Sequence, residues 1–259
     1  MPRFAANLSM MFTELPFLDR FDAAAKAGFR AVEFLFPYDF PAAEIAARLK
    51  AAGLQQVLFN APPGDWTKGE RGQAALPGRK EEFREGFRRA LDYAAALACP
   101  RIHVMSGLVP AAVPHDTMTA VLAENLAWAA DLATLAGVKP VIEPINHRDI
   151  PGFFLNTTDQ AAAIINAVGA EKVGMQFDLY HCQITEGDIV KRVERHLPLI
   201  AHMQVADNPG RNEPGTGEVN WPFVFRKIDE LGFRGWIGCE YRPAGETVAG
   251  LGWFAPYQG

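Results

Sequence analysis

The chain has 259 residues, 49% of them hydrophobic, and a formal net charge of -5. That length suits one eight-fold αβ unit of roughly 250 residues and supplies one large core. The acidic balance argues against nucleic acid as a partner, because phosphate binding wants a basic surface, and charged residues interrupt every apolar run before it reaches membrane-spanning length.

Strand-like and helix-like segments alternate along the chain. A first strand is predicted near 3–9. The segment 19–27, DRFDAAAKA, places Phe21, Ala24 and Ala25 on one helical face and ends at Gly28. After a strand near 30–36, Pro41 opens the helical PAAEIAARLKAAG, which Gly53 closes. A strand near 54–59 leads into a long loop, 60–78. The helix over about 78–98 carries Phe83, Phe87, Leu91 and Ala94 at helical intervals. Strands near 101–105, 139–144, 173–178, 200–206 and 235–241 follow. Helices near 116–136, 157–168 (with Thr157 or Thr158 as cap), 187–197, 221–231 and a short 245–250 separate or follow them. A second long loop, 207–220, comes after the seventh strand. Eight strands alternating with eight helices predict a parallel sheet closed into a barrel. The alternative, an open doubly wound sheet, lacks a glycine-rich dinucleotide fingerprint after its first strand. No linker divides the chain, so residues 1–259 read as one domain.

Four oxygen-bearing side chains end successive apolar runs. Glu143 lies in KPVIEP, Asp178 in VGMQFD, Gln204 in IAHMQVAD and Glu240 in GWIGCE. In a closed parallel barrel the carboxyl ends of the strands share one rim, where catalytic groups collect. Crowded carboxylates cannot all stay ionised without a cation. The donor set predicts a divalent metal, Mg²⁺ or Mn²⁺ rather than zinc. A single Glu ending a strand would read as a solvated rim residue; four donors on four consecutive strands weaken that reading. His181, three residues after Asp178 in DLYH, is placed to reach a substrate oxygen. Arg211, in the second long loop, suits a substrate carboxylate. His202 and Gln204, two apart on a strand, face the same side. His202 reads either as a support for that site or as a core histidine. Cys182 beside His181 is discounted as a nucleophile pair, since neighbours on an extended chain point apart. The GTG in EPGTGE reads as a turn. Three widely spaced cysteines fit a reducing compartment, and the N-terminus reads as having no signal peptide, so a cytoplasmic enzyme is expected.

From end to end the chain resembles the hydroxypyruvate isomerase family, within the xylose isomerase-like TIM barrels that include ketose 3-epimerases. The resemblance rests on FNAPPGDWTKGERG, HVMSG, IEPIN with the following IPGFFLN, QFDLYH, QVADNPGRNEPGTGEVN and GWIGCEYRPAGETVAGLGW. It implies that Glu143, Asp178, Gln204 and Glu240 bind one divalent cation, and that Glu143 and Glu240 also transfer protons. Related epimerases usually carry histidine at the position of Gln204. By the same comparison His181 and Arg211 match substrate-contacting positions, and Asp149 falls near another. The implied reaction converts hydroxypyruvate, a small hydroxy-oxo acid, to 2-hydroxy-3-oxopropanoate (tartronate semialdehyde) through an enediolate, with no organic cofactor. Alternatives on the same site are a 2-oxo-tetronate isomerase and a ketose 3-epimerase. A metal-dependent phosphodiesterase would want more histidine ligands and a basic groove, and a non-catalytic sugar-acid binder would leave paired glutamates unexplained. The sequence leaves open whether the chain forms a homo-oligomer.

Overall fold

A computed structural model of the protein describes residues 1–258. Eight parallel strands close on themselves in chain order: β1 Arg3–Asn7, β2 Ala31–Glu33, β3 Gln55–Asn60, β4 Arg101–His103, β5 Lys139–Ile142, β6 Gly174–Asp178, β7 Ile200–Gln204 and β8 Trp236–Cys239. The closed barrel replaces the open-sheet alternative, and each strand falls within its predicted segment except β3, which runs one residue further, to Asn60. Glu143 and Glu240 lie one residue past the ends of β5 and β8, while Asp178 and Gln204 are the last residues of β6 and β7.

The outer ring comprises α1 Arg20–Lys26, α2 Ala42–Ala52, α3 Lys80–Leu97, α4 His115–Leu135, α5 Thr158–Val168, α6 Leu179–Thr185, α7 Ile189–His196 and α8 Trp221–Glu230. Gly53, at φ +65°, closes α2 in the left-handed conformation. The Thr157 hydroxyl caps α5 by accepting from the Gln160 backbone N–H at 3.2 Å. Two segments differ from expectation. DLYH is the start of the extra helix α6 rather than a loop, because Asp178 caps it: its Oδ1 accepts from the backbone N–H groups of Tyr180 (2.6 Å) and His181 (3.1 Å). The last helical piece runs over Ala249–Tyr257 as 3₁₀ turns rather than over 245–250. There Trp253, Phe254 and Tyr257 pack edge-on against Phe4 of β1, so aromatic packing sets its place.

Strand period two divides the side chains. Phe4, Ala6, Val32, Met175, Phe177, Met203, Ile237 and Cys239 join the main apolar core under the helices. Alternate residues point into the barrel. Ala5, Ala31 and Val57 form a separate small apolar cluster with Trp236 against it. Above it the interior is polar. Glu33 of β2 meets His202 and Gln204 of β7, strands that are not neighbours and touch only across the barrel. No helix is long and apolar enough to cross a membrane among the described residues. All three cysteines are free and buried.

Candidate metal and active site

The carboxyl rim opens into a cavity of about 990 Å³, at the upper end for small-molecule sites. Glu143, Glu240, His181, Arg211 and Asp149 all line it. One ligand-type atom from each of Glu143, Asp178, His181 and Glu240 lies within 4.8 Å of the other three, and all four residues are buried. The strand ends thus bring together the three carboxylates expected from sequence, and α6 adds His181 as the fourth member.

The carboxylates are only partly satisfied from within the protein. Glu143 Oε1 and Asp178 Oδ2 are buried without a hydrogen-bond partner. His181 Nε2 stands 3.7 Å from the first and 3.9 Å from the second, beyond hydrogen-bond length. His103 Nε2 is 3.6 Å from Glu143 Oε2. Burial, then the neighbouring charges of Glu240 and Asp178, hold the Glu143 carboxyl well above the usual carboxylate range. Burial lifts Asp178 to about 6 and Glu240 to about 8, although Arg211 works against both. Orphaned, crowded, buried oxygens fit a divalent cation: it would meet the unfilled lone pairs and relieve the repulsion.

Gln204 occupies the rim in register with Asp178. Its Nε2 donates to Glu33 Oε1 at 2.8 Å and its Oε1 accepts from Gln176 Nε2. Glu33 is fully buried and was not anticipated from sequence, although it too ends an apolar strand. Its carboxylate also accepts from Asn7 Nδ2 at 2.9 Å and bonds His202 Nε2 at 2.6 Å. His202, left open between a support for the site and a core histidine, thus holds Glu33 in the layer below the rim. A Cβ at Gly238 would run into the Glu33 carboxylate, so glycine on β8 is what admits it.

His181 is 3% exposed. Asn146 Oδ1 accepts from the Asp149 N–H at 2.8 Å, which turns Asn146 Nδ2 toward His181 Nδ1. The Asn146 backbone N–H also approaches that nitrogen, at 3.5 Å. Nδ1 therefore accepts, and the proton sits on Nε2, facing the carboxylates. Burial, then Arg211, depresses the imidazole well below its ordinary value and keeps it neutral. In this arrangement His181 is a hydrogen-bond donor at the site.

Arg211 lies across the cavity. Its Nη2 donates to Glu240 Oε2 at 2.6 Å, its Nη1 to Asp149 Oδ2 at 2.9 Å, and its guanidinium stands over the Tyr180 ring at 5.0 Å. Tyr180 OH donates to Asp149 Oδ1 at 3.2 Å. Burial opposes the arginine's charge, but Glu240, Asp178 and Asp149 outweigh it and raise its proton affinity. Asp149 and Arg211, both expected to contact the substrate, are paired with each other here. Asp207 anchors the loop that carries Arg211, with Oδ2 accepting from the N–H groups of Gly215 (2.8 Å) and Gly217 (2.9 Å). Cys182 is no thiolate: burial pushes its thiol up, and Sγ faces the Gly187 carbonyl.

An eight-fold barrel with this rim matches the family model described as a xylose isomerase-like TIM barrel over residues 21–257. The chain belongs to that family. Full-length relatives include a 2-oxo-tetronate isomerase of Cupriavidus necator, 58% identical with all of both chains covered, and the hydroxypyruvate isomerase of Escherichia coli, 46% identical with the same coverage. A crystal structure from Brucella melitensis, described as an AP endonuclease of family 2, is 49% identical, with a TM-score of 0.97 and 99% of each chain covered.

Proposed function

We propose that this protein is a divalent-metal-dependent isomerase of small hydroxy-oxo acids, interconverting hydroxypyruvate with its aldehyde isomer, or a 2-oxo-tetronate with its 3-oxo isomer, through an enediolate. The observation that carries the reading is the group of buried carboxylates with orphaned oxygens on the barrel rim, in a chain whose full-length relatives are named for these two activities. Glu143, Asp178 and Glu240 would hold the cation, with Gln204 as the fourth ligand. When bound, Mg²⁺ or Mn²⁺ would supply Lewis acidity and offset negative charge on substrate oxygens.

The chain's own groups then handle the protons. One glutamate takes the proton from C3 of hydroxypyruvate, and a carboxylate returns a proton to C2. Glu143 and Glu240 suit this work because burial raises both toward the working pH, where a group both accepts and gives up a proton. His181, with Nε2–H aimed into the site, donates to a substrate oxygen as charge builds on it. The deep, partly apolar cavity holds the enediolate away from bulk water.

The 2-oxo-tetronate substrate is favoured by the higher identity to the Cupriavidus relative and by a cavity roomy enough for four carbons. An endonuclease reading, after the name of the Brucella structure, gains no support from a net charge of -5. A coupled assay of purified protein with hydroxypyruvate and with 2-oxo-tetronates, with and without Mg²⁺ or Mn²⁺, tests the proposal. Metal-dependent turnover of at least one acid is expected. Full activity in protein shown metal-free by elemental analysis would contradict it.

A further inference from the structure

We infer that Arg71, on the long loop between β3 and α3, is the residue that grips the substrate's carboxylate and selects acids over neutral sugars; this rests on the isomerase reading above. Arg211 is the obvious cation at the rim, but both of its Nη groups are engaged by the protein's own carboxylates, Glu240 and Asp149. Arg71 lines the same cavity and has no carboxylate partner among the described residues. All of its side-chain hydrogen bonds leave from one nitrogen: Nη1 donates to the carbonyls of Glu70 (2.8 Å) and Trp66 (3.1 Å). The Nε and Nη2 edge is left for a planar bidentate acceptor, the geometry in which guanidinium binds carboxylate best.

The arginine is also held in place. Its guanidinium lies 3.8 Å from the centroid of Trp66, which packs against Phe36 at 5.2 Å; both rings line the cavity. Its two chain neighbours are pinned. Glu70 forms a two-pronged pair with Arg79 at 2.9 and 3.2 Å and accepts from the Asp65 N–H at 2.6 Å. Gly72, at φ +112°, packs so closely on the Met105 backbone beyond β4 that no Cβ fits there. Asp65 caps the turn Trp66–Lys68 that presents the ring. A cation fixed by stacking and by neutral carbonyls loses little freedom on gripping an anion. Arg148 and Arg242 also reach the cavity, but both are exposed.

The test compares wild type with Arg71→Met, which keeps the apolar stem, and Arg71→Lys, which keeps the charge. KM and kcat are measured for hydroxypyruvate and the 2-oxo-tetronates, with thermal stability and bound Mn²⁺ followed in each variant. Arg71→Met is expected to raise KM for the acid by at least about 30-fold, with kcat within a few-fold and Mn²⁺ occupancy unchanged; the loss sits within the range for a charge-assisted contact. Arg71→Lys should recover part of it. A KM within three-fold of wild type in Arg71→Met, or a lysine no better than methionine, would overturn the assignment. A wild type inactive on all of these acids would instead remove the isomerase reading itself.

Discussion

Two buried carboxylates in this barrel, Glu33 and Glu143, face opposite fates. Both follow short apolar strands and both point inward. Glu33 is bonded through both oxygens, to Asn7, Gln204 and His202. Glu143, one residue past the end of β5, keeps one buried oxygen with no partner. A fold able to satisfy the first carboxylate so fully has left the second open, together with Asp178 Oδ2. The Glu33 carboxylate is fully paired within the fold, whereas rim oxygens of Glu143 and Asp178 are not.

The largest expected effect separates the two layers by sign. Glu33→Gln replaces an acceptor of three bonds with an amide whose NH2 must face either His202 or the Asn7 and Gln204 donors, so it cannot accept them all. It should destabilise the protein by about 3–5 kcal/mol, the usual cost of breaking a buried pair, read as a drop in the urea midpoint. Glu143→Gln in metal-free protein removes a buried carboxyl crowded by Glu240 and Asp178 and should be neutral or stabilising. Equal destabilisation by both changes would erase the distinction.

Next comes turnover. Glu143→Gln and Glu240→Gln keep shape and one donor oxygen but remove the proton carrier. Each should slow kcat by at least about 10²-fold, equivalent to about 2.7 kcal/mol of barrier, with metal occupancy measured alongside. One mutant dead and the other nearly active would indicate a single base. Near-normal rates in both, with metal bound, would make them ligands only.

A smaller effect is the pH dependence of the metal-free protein. Asp178 and Glu240 have folded values raised to about 6 and about 8, above their ordinary values. The folded state therefore holds these protons more tightly than the unfolded chain. Their contribution to stability is fully present below the ordinary carboxylate range and is lost as pH rises through about 6 and then about 8. The slope approaches about 1.4 kcal/mol per pH unit for each group. Melting temperature should fall from about pH 5 to 8 without metal, and Mn²⁺ should flatten the curve. A metal-free protein that gains stability over that range would refute the shifts.

The same contrast shows what the sequence could reveal. Strands and rim carboxylates were legible because burial on both faces writes apolar runs, and Glu143, Asp178 and Glu240 stand where those runs stop. Glu33 carries that signal too, in AVEF, but its meaning depends on His202, 169 residues away across the barrel. Arg71 was hidden because its position follows from the packing of Gly72 on Met105 and from the Glu70–Arg79 pair, none of which has a periodicity. Helix α6 was missed because Asp178 looked like a strand end and is equally a helix cap. One oxygen caps the helix while the other faces the site, a division of labour visible only in three dimensions.

The most direct test of the open rim is calorimetric titration of metal-stripped protein with Mn²⁺ at several pH values. One ion should bind per chain and release protons near neutrality, fewer as pH climbs past about 8, because the raised carboxyls must ionise to become ligands. Absence of stoichiometric binding, or binding left unchanged by Asp178→Asn and Glu143→Gln, would contradict the metal site.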